Sequence, residues 1–208
     1  VWVDNDSACT CVAERMYGAG RGADHSVFVL AGSSGIGGGI VADGHILRGA
    51  SGYAGELGHI PFHSSRVVDR TGVAGTLEAT VSRDQLLEVF KLDSATDEEL
   101  DLDITSTKDR KVIRTLHVQI DDLGRALGGY ATTFNPQTIV LGGFLHSLFK
   151  YDETRLLEAL RKHSIGAVHD SLIVKGAELG TSGVLIGAAE LAFGPLLDSP
   201  AGAKLIAR

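Results

Sequence analysis

Cysteine, methionine and tryptophan are nearly missing from this chain: two Cys, one Met and one Trp in 208 residues. Cys9 and Cys11 stand two apart in a helical stretch and point to opposite sides, which excludes a disulfide framework and a thiolate metal site. No apolar run approaches the roughly 18 residues of a membrane span, and no secretory leader precedes Val1. Basic charge is short as well. Nineteen Lys and Arg face 26 Asp and Glu, a net charge of -7, and the basic residues are scattered, which argues against a broad nucleic-acid surface. These absences point to a cytoplasmic protein with no membrane partner. The chain opens on Val1 rather than Met, directly on a strand-like Val1-Trp2-Val3, as a piece cut from a longer protein would.

What is abundant is glycine, 27 residues, within a 44% hydrophobic chain able to bury a substantial core. Strand and helix patterns alternate in the α/β manner. The helix expected over Asp4–Tyr17 is entered through polar capping residues. Runs 26–33, 37–41 and 45–48 predict an antiparallel meander, with Asp43-Gly44 as the last tight turn. Between Lys111 and Phe134, Ile113, Leu116, Ile120, Leu123, Leu127, Tyr130 and Phe134 recur every three or four positions, a long amphipathic helix stopped by Asn135-Pro136. A strand at 138–141, a helix at 153–163, a strand at 172–174 and a helix at 182–197 complete two βα units. The acidic run Asp93, Asp97, Glu98, Glu99, Asp101, Asp103 reads as a solvated connection or helix face.

Gly35-Ile36-Gly37-Gly38-Gly39 is neither a dinucleotide fingerprint nor a P-loop: no helix follows it at once, and no Lys-Ser/Thr closes it. It either lets backbone N–H groups approach a phosphate, with Ser33 and Ser34 as further donors, or marks close strand packing. Gly142-Gly143 poses the same alternatives at the end of a buried strand. Asn5-Asp6 follows the first strand, where an open α/β sheet places ligands. The carboxylate either caps the helix or serves as a general base toward a hydroxyl. Glu56, His59 and Glu78 are polar groups close enough in sequence to share a face, and singly each is a surface or core residue as readily as a ligand.

The ordered set Asn5-Asp6, SSGIGGGIV (33–41), GASGYAGELGH (49–59), GVAGTLE (72–78) and TIVLGG (138–143) resembles the ROK family of sugar kinases and sugar-responsive repressors over nearly the whole chain. The resemblance implies a ribonuclease H-like, actin-like ATPase fold of two lobes with sugar in the cleft, this chain being the carboxyl-terminal lobe over 1–208. The amino-terminal lobe and any winged-helix DNA-binding domain would lie elsewhere. It assigns sugar binding to Asn5, Asp6, Glu56, His59 and Glu78. Asp6 is the catalytic base only if the protein is a kinase, in which case Gly35, Gly37, Gly38, Gly142 and Gly143 face ATP and Mg²⁺.

Family members commonly hold zinc through one His and three Cys. Here Asp69, Thr71 and Thr76 stand at the cysteine positions, so zinc, and any metal, is not expected. Phe144, where kinases usually carry a third glycine, predicts that a bulky ring fills the nucleotide position. With a closing run, 187–200, that resembles repressor endings, it favours the regulator reading: a NagC-like domain that binds a sugar or sugar phosphate, forms homodimers or higher homo-oligomers, and acts on DNA through another segment. The alternative is the lobe of an ATP-dependent sugar kinase of the glucokinase or N-acetylhexosamine kinase type.

Overall fold

The computed structural model of the protein describes residues 4–198, so the strand expected at Val1–Val3 and the end of the 187–200 run lie outside the described residues. In chain order the elements begin with α1 (Asp6–Tyr17), β1 (Ser26–Gly32), β2 (Gly35–Ala42) and β3 (His45–Ile46). A helical segment follows: α2 (Leu77–Thr80), α3 (Arg83–Phe90), α4 (Asp97–Ser106) and α5 (Arg110–Phe134). The remainder is β4 (Thr138–Gly142), α6 (Phe144–Tyr151), α7 (Glu153–Lys162), α8 (Gly166–His169), β5 (Ile173–Gly176) and α9 (Ser182–Asp198). The strands form one sheet in the order β3-β2-β1-β4-β5. β1, β2 and β3 pair antiparallel as the expected meander, and β4 and β5 add parallel to β1.

Central strands covered on both faces must be apolar on both, and β1 reads Ser-Val-Phe-Val-Leu-Ala-Gly. Val27, Val29 and Ala31 face the larger core, which is built with Leu116, Ile120, Leu123 and Leu127 of α5. Phe28 and Leu30 face a smaller core with Cys11 of α1. Thus α1 covers one face of the sheet, with α9 packed on it, while α5 and its neighbours cover the other. Asp43 and Gly44 both take positive φ, 50° and 73°, as a two-residue hairpin turn requires. Asp109 caps α5 by accepting from the Lys111 N–H at 2.7 Å, and Asn135, at φ 44°, ends it in the left-handed conformation.

Close packing accounts for three of the β2 glycines, Gly37, Gly38 and Gly39. A Cβ on Gly37 would stand 2.3 Å from Ser7 Oγ, and one on Gly39 would stand 2.5 Å from Cys11 Sγ. Ser7 and Cys11 are four apart on a helix and Gly37 and Gly39 two apart on a strand, both advancing about 6 Å, so α1 lies flat along the strand. On the opposite face a Cβ on Gly38 would meet Leu57 Cδ1 at 2.8 Å and the Gly55 carbonyl at 3.0 Å. Three adjacent glycines therefore let α1 and the Gly55–Leu57 segment approach β2 from its two faces.

Four helices lie where none was expected: α2, α3, α6 and α8, with α6 burying Phe144, Leu145 and Leu148. The acidic run takes its helical alternative as α4, begun by a capping box of Thr96 and Glu99 and fixed in the core through Leu100 and Ile104. No helix among the described residues is long and apolar enough to cross a membrane.

Candidate ligand cleft

At the carboxyl ends of β1 and β4, where an open α/β sheet offers its crevice, a cleft of about 700 Å³ opens. Asn5, Asp6, Glu56, His59 and Glu78 all line it, although up to 73 positions separate them in sequence. Each is delivered by a local device.

Asn5 is the N-cap of α1: its side-chain oxygen accepts from the Ser7 N–H at 2.8 Å. Capping therefore falls to Asn5, with Asp6 accepting on one oxygen only, from Ser7 N at 2.7 Å and Ser7 Oγ at 3.3 Å. The second Asp6 oxygen is left for a ligand, and the Asn5 amide supplies donors beside it. An ion pair of 2.7 Å between Asp4 and Arg48 ties this entry to the loop that leads into GASGYAGELGH.

That loop ends in a 3-10 turn, Leu57–His59, wedged against β2. Leu57 is buried and its carbonyl accepts from the Tyr130 hydroxyl of α5. Gly58 has no room for a side chain, since a Cβ would lie 2.0 Å from the Ile36 carbonyl. With its middle pinned, the turn exposes its two ends, Glu56 and His59, to the cleft. Glu78 sits in the first turn of α2, whose N-cap is Thr76. One Glu78 oxygen accepts from the Ile36 N–H at 2.9 Å, and Arg70 lies 3.8 Å from the other. Arg70 also donates to the Ser33 and Ser34 carbonyls, so Glu78 and Arg70 together clamp the β1–β2 tip.

Below His59 lies Asp69, whose side chain has no exposure. It accepts from His59 Nδ1 at 2.8 Å, Thr71 N at 2.8 Å, Thr71 Oγ1 at 2.7 Å, Val73 N at 3.0 Å and Thr76 Oγ1 at 3.0 Å. Burial alone would raise its carboxyl; the bonds from His59, Thr71, Val73 and Thr76 outweigh this and hold it well below the usual carboxylate range. His59 is correspondingly held above the ordinary imidazole value, chiefly by the Asp69 bond and further by Glu78 and Glu56, against its own burial. This donor set does not fit structural zinc. Its one imidazole is committed to a carboxylate, and its hydroxyls bond that carboxylate. Among the described residues no group of three or more His, Cys, Asp or Glu is arranged to hold a metal.

Gly142 and Gly143, which carry β4 into α6, also line the cleft, as do Gly35, beside Glu78, and Gly37, beside Ser7; Gly38 lies beneath Leu57 and is not part of the lining. Gly143 has φ 61°, and α6 starts with no side-chain cap on its first backbone N–H groups. The expectation for Phe144 is corrected here. Its ring is 2% exposed and belongs to the larger core, because the turn at Gly143 swings the side chain under the sheet. The nucleotide position is not filled by that ring.

The opposing wall was not expected. α4 presents Asp97, Glu98 and Asp101, and α6 presents His146, Ser147 and Lys150. Lys150 pairs with Asp101 at 2.8 Å. Burial would raise the Asp101 carboxyl, but Lys150 and Ser147 more than reverse it. Burial and Lys150 push His146 down. The Thr96-x-x-Glu99 box followed by Leu100 and Ile104 at helical spacing was the available signal for α4, but its side of approach depends on tertiary packing.

Comparison with known proteins agrees with this geometry. The sequence model described as "ROK family" matches residues 1–194. The glucokinase of Thermotoga maritima is 32% identical over 160 residues, 69% of this chain and 50% of the relative. A ROK hexokinase from Thermus thermophilus superposes with a TM-score of 0.77 at 30% identity, covering 95% of this chain and 66% of the other. A ROK family transcriptional regulator, a homologue of the E. coli Mlc protein, superposes with a TM-score of 0.71 at 25% identity, covering 90% and 50%. Curated relatives thus include both glucokinases and, at lower identity, xylose repressors, and the chain spans 50% and 62% of two of these glucokinases. The mixed five-stranded sheet with its helical layers is the sugar-kinase, actin-like ATPase architecture of these neighbours. By sequence model, by relatives and by superposition alike, the chain belongs to the ROK family.

Proposed function

We propose that this chain is the sugar-sensing part of a ROK-family transcriptional regulator, and that its cleft takes an unphosphorylated sugar. The observation that carries this reading is charge. Six carboxylates line the cleft, Asp6, Glu56, Glu78, Asp97, Glu98 and Asp101, against one lining Lys, and that Lys150 is committed to Asp101. Sugar hydroxyls donate to carboxylates in strong charge-assisted bonds, whereas a triphosphate or sugar phosphate meets like charge. Asp6, Glu56 and Glu78 would accept from hydroxyls, the Asn5 amide would donate, and His59 would take a further hydroxyl. Sugar binding would close the cleft and alter the geometry of a homodimer or higher oligomer, and with it the spacing of DNA-binding segments, in the cytoplasm. The repressor relatives support this reading, and the acidic chain leaves DNA contact to another segment.

One observation favours a second reading, an ATP-dependent sugar kinase: with the Phe144 ring buried, the Gly142-Gly143 backbone and the start of α6 are open to a phosphate. Gly35, Gly37, Gly142 and Gly143 would then bound the nucleotide, ATP with Mg²⁺ would supply the phosphoryl group, and Asp6 would take the proton from the attacking hydroxyl. Two assays on the full-length protein separate the readings. The regulator reading expects one sugar from a panel of pentoses, hexoses and N-acetylhexosamines to change affinity for DNA upstream of the gene, with no sugar-dependent ADP release. ADP release that disappears in Asp6→Ala would overturn it.

A further inference from the structure

The Asp69 side chain is buried, lies outside the cleft lining and has five donors converging on it, as an ionised carboxylate requires, and the sugar-binding reading gives it no role. An ionised carboxylate can only accept, and two of its partners, the Thr71 and Val73 N–H groups, are fixed donors on Oδ1. On Oδ2 the Thr76 hydroxyl and His59 Nδ1 converge at 3.0 and 2.8 Å, so the imidazole must donate from Nδ1. The carboxylate cannot swing away, because Asp69 N donates to the Val73 carbonyl and Gly72 N donates to the Asp69 carbonyl, closing a turn around it. Thr76 is also the N-cap of α2, the helix that carries Glu78.

We propose that Asp69 is a positioning residue that fixes His59 as the Nδ1-protonated imidazole, presenting Nε2 of the neutral ring to the cleft as an acceptor for a ligand hydroxyl, and that through Thr76 the same carboxylate sets the placement of Glu78. The inference deepens the sugar-binding reading and rests on it for the ligand, but the tautomer is a property of the protein alone. With the ring neutral, a site that accepts from one hydroxyl and donates to none at that point rejects a ligand whose matching group has no proton to give.

The test uses full-length protein labelled with ¹⁵N-histidine, in which long-range ¹H–¹⁵N spectra distinguish the two neutral tautomers and His59→Gln assigns the resonance. At a pH above the raised His59 value, the expected wild-type result is a single, Nδ1-protonated neutral ring. In Asp69→Asn the amide can donate to Nδ1, so the ring shifts to the Nε2-protonated form, and affinity for the sugar falls about tenfold. In a His59→Gln background the same substitution costs clearly less than in the wild type, the remainder acting through Thr76 and Glu78. An Nε2-protonated or rapidly exchanging His59 in the wild type overturns the proposal, as does an equal loss of affinity in both backgrounds. If no sugar binds, the sugar reading fails while the wild-type spectrum still decides the tautomer, and that spectrum also decides if Asp69→Asn does not fold.

Discussion

Replacing Tyr130 by Phe removes one oxygen from the core and should be felt in the cleft. Tyr130 is 3% exposed on α5, and burial pushes its phenol well above the ordinary value. Its hydroxyl donates to the carbonyl of Leu57, itself 1% exposed, at the centre of the turn that carries Glu56 and His59. The ring stays in Phe, so packing is retained and the cost is that of a buried carbonyl losing a partner, about 1–3 kcal/mol. The Ile60 N–H still reaches that carbonyl at 3.4 Å, a long and weak bond, which places the expectation in the lower half, about 1–2 kcal/mol. For a domain of this size that lowers Tm by roughly 2–8 °C. Denaturant unfolding should show a lower midpoint with unchanged slope, the sign of lost stability rather than an altered unfolded state. Calorimetry with the cognate sugar should show severalfold weaker binding, because Glu56 and His59 flank the loosened residue. A midpoint within experimental scatter of wild type, together with unchanged affinity, would refute the idea that the core pins this turn.

Gly39→Val should move α1 off β2, since a Cβ would already stand 2.5 Å from Cys11 Sγ; a loss of about 1–3 kcal/mol in urea unfolding, with weakened sugar binding through Asn5 and Asp6, is expected. Stability against pH should carry a signature of the His59–Asp69 pair. The Asp69 pKa is lowered from 3.8, so its contribution is present above about that pH and is lost as pH falls through the folded value. The His59 pKa is raised from 6.5, so its contribution is full below that value and is lost as pH rises through the folded one. Denaturation midpoints of Asp69→Asn from pH 2 to 9 should lack both limbs, and a profile parallel to wild type would contradict the assignment. Converting Asp97, Glu98 and Asp101 together to Asn, Gln and Asn should raise affinity for a sugar phosphate by tenfold or more while leaving that for the neutral sugar nearly unchanged, measured by competition. Each like-charge contact so removed is worth on the order of 1 kcal/mol.

The architecture was legible wherever a single element states its own pattern. The apolar spacing of α5, the Asp43-Gly44 turn and the strands 26–32 and 138–142 need no partner to be recognised. The cleft residues were legible because their motifs come in a fixed order, and the structure brings all five onto one cavity. What was hidden depends on direction. Position 144 follows two cleft-lining glycines in sequence, but the positive φ at Gly143 turns its ring into the core. That Gly37, Gly38 and Gly39 give room to Ser7, Cys11 and Leu57 depends on which segments lie against the strand. The acidic run announced charge, and only the packing of Leu100 and Ile104 reveals that this charge borders the cleft. Asp69, a poor ligand by type, became informative once five donors were seen converging on it.

The central claim, a cleft built for a neutral sugar and against phosphate, is tested most directly by calorimetric titration of the full-length protein with a cognate sugar, its phosphate ester and Mg-ATP in parallel. The account predicts that the sugar binds with Asp6→Ala abolishing the heat, and that the ester and the nucleotide bind at least tenfold more weakly or not at all. Tighter binding of the ester or of Mg-ATP than of the sugar, or sugar binding that survives Asp6→Ala, would contradict it.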